Sequence, residues 1–184
     1  MQNRQHWMSA IGVISIAAAG CAHLIFRTSW VYAPEGKNFV LTMLRLGRER
    51  ESLNVVDDQV GAPTTAAELA RATQTIAMGV LEGKFGAEKN WVGTYHMTCA
   101  GSASWCSFAR AIFERGSALL QGKMPKVNAI ATSEYPTPAK RPHNSVLSNE
   151  KLQQTFGVQL ADWETALDEA LTAISAQQTA AGGS

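Results

Sequence analysis

The stretch VVDDQVGAPT, residues 55–64, joins an apolar run to a polar loop that turns tightly. Its two valines end a predicted buried strand, and two carboxylates, an amide, a glycine and a proline follow at once. Glycine and proline favour a defined turn. In open α/β sheets, ligands bind beyond the carboxyl ends of the strands, where such loops lie. The stretch therefore predicts an α/β protein with a binding loop after this strand.

Within this loop, Gln59 is the candidate binding residue. Its amide offers two donors and one acceptor, which suits a ligand rich in hydroxyl groups. Asp57 and Asp58 can instead bind backbone amides and hold the shape of the loop, and we favour that structural role for both.

The rest of the chain supports the α/β assignment, because short apolar runs alternate with amphipathic stretches. Helix starts are predicted where a capping residue precedes an amphipathic stretch, as at Ser104, Ser148 and Asp162. Thr65 and Glu68 have the spacing of a capping box. The strands are predicted at residues 24–28, 53–56, 93–98 and 127–131.

Apolar spacing also predicts which side of each helix faces the core. Helices are expected to bury Phe39, Val40, Met43 and Leu44; Trp105, Phe108, Ala109, Ile112 and Phe113; and Trp163, Leu167, Leu171 and Ile174. The helix after Thr65 is expected to bury Leu69, Thr73, Ile76, Ala77, Val80 and Leu81.

Composition limits the function classes. A chain of 184 residues with 46% hydrophobic residues fits one domain with a core. Its net charge of +1 and scattered basic residues give no reason to expect a nucleic-acid partner. Three cysteines and four histidines, irregularly spaced, form no zinc motif. We therefore predict no metal ligands.

The amino-terminal region has two interpretations. Residues 8–26 carry no formal charge and follow Arg4, a profile typical of a secretory signal. The alternative is a helix that ends near Gly20, followed by the first strand. The stretch is too weakly apolar for a membrane span.

Five segments of the chain carry a family resemblance. They are FRTSWVY (26–32), NFVLTMLRLG (38–47), VVDDQVGAPT (55–64), GTYHMTCAGSASWCSFARAIF (93–113) and PAKRPHNSVLSNEKL (138–152). In this order they resemble the carboxy-terminal part of dTDP-4-dehydrorhamnose reductases, which are extended short-chain dehydrogenases. The resemblance implies an α/β fold in which the last strands of an NAD(P)-binding Rossmann-type sheet join a smaller α/β substrate-binding domain. It also implies NADPH or NADH as cofactor and a dTDP-sugar as substrate, and it leaves a role for Mg²⁺ open.

Two features of that family are absent from this sequence. No glycine-rich fingerprint follows a predicted strand, and no tyrosine is followed four residues later by lysine. We therefore expect a truncated or frameshifted product that is inactive alone. Residues 1–16 are predicted to be foreign to the family, 17–176 to form a truncated reductase-like domain, and 177–184 to form a flexible tail.

The resemblance implies roles for five residues. Trp30 would line the hexose pocket, with a core position as the alternative. Thr28 and Ser29 would lie near the nicotinamide. Asn38 would lie near the sugar nucleotide or cap a helix, and Arg141 would clamp the diphosphate or be a surface arginine. The remaining conspicuous side chains are predicted to pack in the interior: Trp91, Trp105, Trp163 and His96.

Other functions remain as alternatives. The same fold serves relatives that act as non-enzymatic regulatory subunits of methionine adenosyltransferase. We predict a cytoplasmic protein without a membrane partner, with export as the alternative. An open sheet edge would also favour a homodimer or aggregation.

Overall fold

The computed structural model describes residues 13, 15–16, 18–136 and 141–182 of the chain. The predicted foreign segment, residues 1–16, lies almost entirely outside this part, as does the signal-like start at Arg4.

The described strands pair two by two. β1 pairs with β6, β2 with β5, and β3 with β8, all in parallel, whereas β4 is antiparallel to β7. Strands β1, β3, β6 and β8 confirm the four predicted strands to within two residues. The bounds are β1 (Leu24–Arg27), β2 (Val31–Tyr32), β3 (Ser52–Val56), β4 (Val60–Gly61), β5 (Thr64–Thr65), β6 (Gly93–His96), β7 (Ala103–Ser104) and β8 (Lys126–Ile130).

The helices begin at or beside the predicted capping residues. Ser104 Oγ accepts from the Ser107 N–H, and Asp162 Oδ1 accepts from the Glu164 N–H at 2.9 Å. Parallel strands linked by helices confirm the α/β class. The helices are α1 (Phe39–Glu49), α2 (Ala66–Leu81), α3 (Trp105–Arg115), α4 (Glu150–Phe156) and α5 (Trp163–Gly182), with short 3-10 turns at Glu88–Asn90, Ser117–Leu120 and Thr132–Glu134.

Two clusters of buried side chains form the core. The larger one lies among α1, α3, α5 and β3, and it contains Val40, Leu44, Leu53, Phe108, Ile112 and Leu167. The smaller one lies among α2, α4 and β6, and it contains Ile76, Tyr95, Met97, Leu152 and Phe156. The predicted inner faces of α1, α3 and α5 are therefore confirmed, except that Phe39 and Trp105 are only partly buried.

The capping box at α2 is only half formed. Thr65 Oγ1 accepts from the Glu68 N–H at 3.1 Å, as predicted. The carboxylate of Glu68 instead accepts from the Ala161 N–H at 2.6 Å and pairs with Arg71. Glu68 is therefore a buried link between α2 and the segment that precedes α5.

The predicted inner face of α2 is wrong in part. The buried residues are Glu68, Ala72, Ile76 and Gly79. Thr73 and Ala77 are exposed, and Leu81 is 81% exposed. The buried stripe includes Glu68, which bonds to the Ala161 N–H, and it therefore differs from the stripe that apolar spacing predicts.

Residues 177–182, which belong to the predicted tail, continue helix α5. One further expectation needs correction. His96 is half-buried at the end of β6 rather than buried, and its Nδ1 lies 3.2 Å from the Ser148 carbonyl oxygen. Among the described helices, none combines the length and apolarity needed to cross a bilayer.

Candidate functional site

A cavity of about 640 Å³ opens between α1, β3 and the start of α3. It brings together Gln59 from the loop after β3 and Arg141 from the long proline-containing loop. The two residues are far apart in sequence, so only the fold places them in one cavity. The other lining residues are Phe39, Thr42, Met43, Leu46, Arg50, Ser52, Leu53, Asn54, Val55, Val56, Trp105, Ile130, Glu134 and Tyr135.

Gln59 is held at the edge of this cavity by the turn that follows β8. Its side chain is only 7% exposed, and Nε2 donates to Thr132 Oγ1 at 3.0 Å. The buried amide is thus both hydrogen-bonded and part of the cavity wall.

The two aspartates of the loop bind protein groups. Asp58 accepts from the Thr132 backbone N–H at 2.9 Å and from its hydroxyl at 2.5 Å. Asp57 accepts from Ser104 Oγ at 2.5 Å. Both carboxylates therefore hold the loop against neighbouring segments; Asp58 does so through a backbone amide, as predicted, whereas Asp57 binds a side-chain hydroxyl.

The hydrogen bonds at Asp58 lower its pKa below the ordinary value of 3.8. The Thr132 hydroxyl is the largest cause and the Thr132 backbone N–H is the next. Both donors stabilise the charged carboxylate. Nearby His143 adds a smaller electrostatic effect.

The segment after Arg141 is joined to the same loop. The Val60 N–H donates to the His143 carbonyl at 2.8 Å, and the Ser145 N–H donates to the Val60 carbonyl at 2.8 Å. His143 Nδ1 also lies 2.9 Å from the Asp58 carbonyl oxygen. These contacts hold the segment in place and bring Arg141 to the cavity that Gln59 lines.

An aromatic stack forms one wall of the cavity. The indoles of Trp30 and Trp105 are parallel to within 9°, with ring centroids 3.5 Å apart, and Phe39 lies 4.7 Å from Trp105. Trp105 and Phe39 line the cavity, whereas Trp30 lies behind Trp105. Trp30 thus touches this cavity only through Trp105, and its expected role at a hexose pocket stays a prediction.

Sequence analysis assigned Trp105 only to packing. The available signal was its position, since Trp105 begins α3 directly after the capping residue Ser104. A large aromatic side chain in the first turn of a helix at a strand end is close to the edge where ligands bind.

The backbone at Trp30 is unusual and its neighbour is small. Trp30 has φ 49°, a left-handed conformation that is rare for a bulky residue. A Cβ atom on Gly61 would lie 2.3 Å from Trp30 Cε2. Glycine at position 61 therefore makes room for the Trp30 indole in the stack.

Three other candidate residues lie outside the cavity wall. Asn38 is the N-cap of α1, as the alternative interpretation proposed: Oδ1 accepts from the Leu41 N–H at 3.1 Å, and Nδ2 donates to the Ala33 carbonyl at 2.8 Å. Thr28 is exposed and Ser29 is half-buried, both directly after β1.

The three tyrosines differ in their surroundings. Tyr32 is buried without a hydrogen-bond partner for its hydroxyl among the described residues, and burial raises its pKa far above the ordinary range. The Tyr95 hydroxyl donates to the Trp91 carbonyl at 2.7 Å. Tyr135 is 57% exposed and lines the cavity.

Residues 10–176 match the family described as the RmlD substrate binding domain. The chain belongs to this family. The match includes the loop that carries Gln59, both members of the tryptophan stack and Arg141. It begins at residue 10, before the boundary at residue 17 predicted for the family-like part.

Curated relatives of the chain include several dTDP-4-dehydrorhamnose reductases. The enzyme of Burkholderia thailandensis is 46% identical over 162 residues, which are 85% of this chain and 53% of that protein. The Escherichia coli K12 enzyme is 46% identical over 153 residues, with 82% and 50% covered. The chain thus spans about half the length of these relatives.

A solved structure supports the same assignment. The dTDP-4-dehydrorhamnose reductase of Bacillus anthracis, in complex with NADP, superposes with a TM-score of 0.70 at 35% identity. The superposition covers 81% of this chain and 48% of that enzyme. In the part of our chain that the structure describes, no three acidic, histidine or cysteine side chains are grouped for metal binding.

Proposed function

We propose that this chain is the sugar-nucleotide-binding portion of a dTDP-4-dehydrorhamnose reductase. The observation that carries the proposal is the single cavity in which Gln59, Arg141 and the aromatic wall meet. These are the groups that a nucleotide sugar requires: a polar amide, a cation and an apolar surface. The reductases that resemble the chain act on a dTDP-sugar, which we propose as its ligand.

Each group has a distinct task. Arg141 would bind the diphosphate, because a guanidinium can donate to two phosphate oxygens at once. Gln59 would bind a sugar hydroxyl. The face of Trp105, supported from behind by Trp30, would cover the apolar side of the deoxysugar. The chain's own residues therefore bind and orient the substrate.

Of the groups that a nicotinamide cofactor requires, the residues after β1 would supply only contacts to the nicotinamide ring. Thr28 and Ser29 could contact the nicotinamide ring, as the resemblance implies. Pyrophosphate binding needs open N–H groups at a helix start. In α1, α2 and α3, however, a side chain caps the start, since Asn38, Thr65 and Ser104 each accept from one of these N–H groups, and no G-x-G-x-x-G sequence leads into the helix. The described residues do not fit a whole dinucleotide, so NADPH or NADH would need groups beyond them.

The described residues are therefore not sufficient for the expected reduction of the sugar ketone. NADPH or NADH would supply hydride to the C4 ketone of the sugar. Of the three tyrosines, Tyr32 and Tyr95 are enclosed in the core clusters, which removes them as proton donors to a ligand. We expect substrate binding by this chain without reduction.

Location and assembly are part of this proposal. We propose a cytoplasmic protein, following the family that it resembles. Self-association through a strand edge is expected because β1 and β6 form only a two-stranded parallel pair. Light scattering over a range of protein concentrations would test it.

Calorimetric titration with dTDP-L-rhamnose tests the proposed function. We expect binding by the wild-type chain and a loss of about tenfold to a hundredfold in Arg141→Ala, since hydrogen bonds to charged groups contribute about 1.5–3 kcal/mol. Arg141→Lys should lose less affinity for dTDP-L-rhamnose than Arg141→Ala, because lysine keeps the positive charge but cannot donate to two phosphate oxygens as a guanidinium does.

The matched control is Arg45→Ala. Arg45 pairs with Glu49 on the surface of α1 and is not a lining residue of the cavity. Its replacement should leave the affinity unchanged. A folded wild-type chain, verified by circular dichroism, that binds no dTDP-L-rhamnose would refute the proposal.

A further inference from the structure

The hydroxyl of Thr132 links the cavity residue Gln59 to the carboxylate of Asp58. Gln59 Nε2 lies 3.0 Å from Thr132 Oγ1, and that oxygen lies 2.5 Å from Asp58 Oδ1. The Thr132 backbone N–H also donates to both oxygens of Asp58, at 2.9 and 3.1 Å. Thr132 is therefore held firmly in one position relative to the binding loop.

The protons of this chain of bonds have one arrangement. An ionised carboxylate only accepts hydrogen bonds, so the single hydroxyl proton of Thr132 points to Asp58. Toward any other partner, the Thr132 hydroxyl oxygen can then only accept a hydrogen bond. Only the N–H of Gln59, and not its carbonyl, can meet those lone pairs favourably.

This arrangement fixes which end of the Gln59 amide faces Thr132. The reversed amide would place its oxygen against the oxygen of a hydroxyl whose proton is already used. Gln59 is nearly buried, so an unsatisfied polar contact there would strongly disfavour the reversed amide. Among the described residues, none donates to Gln59 Oε1. Because Gln59 lines the cavity, the carbonyl end of its amide can accept a bond from a ligand there.

We propose that Thr132 is a positioning residue that fixes the Gln59 amide so that this subsite accepts a hydrogen bond from a ligand hydroxyl. The proposal rests on the proposed function, since the ligand class is the sugar nucleotide. It predicts that the subsite prefers a hydrogen-bond donor on the ligand. A sugar hydroxyl can donate to Gln59 Oε1, whereas a ligand group that only accepts hydrogen bonds leaves Oε1 unpaired. Thr132 acts through Gln59 and does not contact the sugar.

The first test needs no ligand. In nuclear magnetic resonance spectra of the free chain, the Gln59 side-chain amide is identified by its loss in Gln59→Ala. One of its protons should be shifted downfield and exchange slowly in the wild type. Thr132→Ser, which keeps the hydroxyl, should preserve both properties, and Thr132→Val, which keeps the shape, should abolish them. An unchanged Gln59 amide in Thr132→Val would overturn the proposal.

The second test measures coupling in dTDP-L-rhamnose binding. Thr132→Val should weaken binding about twofold to tenfold when Gln59 is present, and should have almost no effect in the Gln59→Ala background. Thr132→Ser should restore the wild-type affinity. Equal losses in both backgrounds would show a general structural role and overturn the proposal.

The two tests separate the two proposals. A wild-type chain that shows the fixed Gln59 amide but binds no dTDP-L-rhamnose would refute the proposed function and support the positioning role. Thr132 is half-buried, so Thr132→Val should fold. If it does not, Thr132→Ala removes the same hydroxyl and carries the same expectation.

Discussion

Trp30 and Trp105 stack face to face, with ring centroids 3.5 Å apart and ring planes 9° apart. Trp30 follows β1, whereas Trp105 begins α3, so the stack joins two distant parts of the chain. Phe39 of α1 contacts the stack at 4.7 Å from Trp105. Three separate elements therefore build the aromatic wall of the cavity, and a change in any one of them should alter ligand binding.

Replacing Trp105 by alanine should weaken both folding and binding. We expect a loss of about 1–3 kcal/mol in the free energy of unfolding, because the side chain is half-buried and stacked. The affinity for dTDP-L-rhamnose should fall at least about fivefold, the equivalent of losing a stacking contact of about 1 kcal/mol. Urea unfolding and calorimetry measure the two effects.

The matched control for Trp105 is Trp91→Ala. Trp91 is also half-buried, but it packs on the smaller core cluster. Its replacement should lower stability and leave the affinity of the folded chain unchanged. Equal losses of affinity in both variants would remove Trp105 from the binding site.

Gly61→Ala should displace Trp30. The new Cβ would lie 2.3 Å from Trp30 Cε2 and 2.8 Å from Ser145 Oγ, so the indole must move. Such overpacking typically lowers the free energy of unfolding by about 1–3 kcal/mol. We expect a changed near-ultraviolet circular dichroism signal from the stacked indoles and weaker binding of dTDP-L-rhamnose.

Gly83→Ala provides the comparison. Gly83 has φ +71°, and a Cβ there would meet no atom within 4 Å. The free energy of unfolding of this variant should fall by about 1–2 kcal/mol because of backbone strain alone. The circular dichroism signal of the indoles should be preserved. If Gly61→Ala also preserves that signal, the proposed steric coupling is wrong.

Asn38→Ala should affect stability but not affinity. The change removes the cap of α1 and the bonds to the Ala33 and Glu35 carbonyls, so we expect a loss of about 0.5–2 kcal/mol. Asn38→Ser keeps an acceptor for the Leu41 N–H without placing a carboxylate oxygen against those two carbonyls, and it should lose less stability. A large loss of dTDP-L-rhamnose affinity in folded Asn38→Ala would instead establish the substrate contact that the family resemblance implies.

The bonds to Asp58 predict a dependence of stability on acid. Its pKa in the folded state is below 3.8, so its stabilising effect is present above that pH and is lost as pH falls through the lower folded value. Titration of the carboxyl carbon by nuclear magnetic resonance would measure this pKa. Thr132→Val removes the hydroxyl bond and should raise the pKa of Asp58. The rise should stop short of 3.8, because the bonds from the Thr132 backbone N–H remain. Thr132→Ser keeps the hydroxyl and should leave the pKa unchanged. A pKa unaffected by Thr132→Val would contradict this account.

Local features of the sequence were sufficient for most elements. The four main strands and the caps at Asn38 and Ser104 follow from short-range patterns, since a cap depends on the backbone N–H groups two or three residues away. The α/β class and the family resemblance need no more than the order of these segments.

Features that depend on distant contacts could not be predicted in the same way. The buried face of α2 includes Glu68, whose carboxylate accepts from the Ala161 N–H, and apolar spacing within the helix contains no information about that partner. The stacking of Trp105 between Trp30 and the cavity also depends on distant contacts. Either indole can line a pocket, and their stacking order depends on how α3 packs beside the segment after β1.

The sequence alone determined which chemical groups this protein carries: an amide in a tight loop, an arginine beside a proline, and several tryptophans. Only the tertiary structure decided that Gln59, Arg141 and Trp105 share one cavity and that Thr132 orients the Gln59 amide. The physical reason is the range of the interactions. Capping and periodicity act over a few residues, whereas a binding site is made by contacts between segments that the chain brings together only on folding.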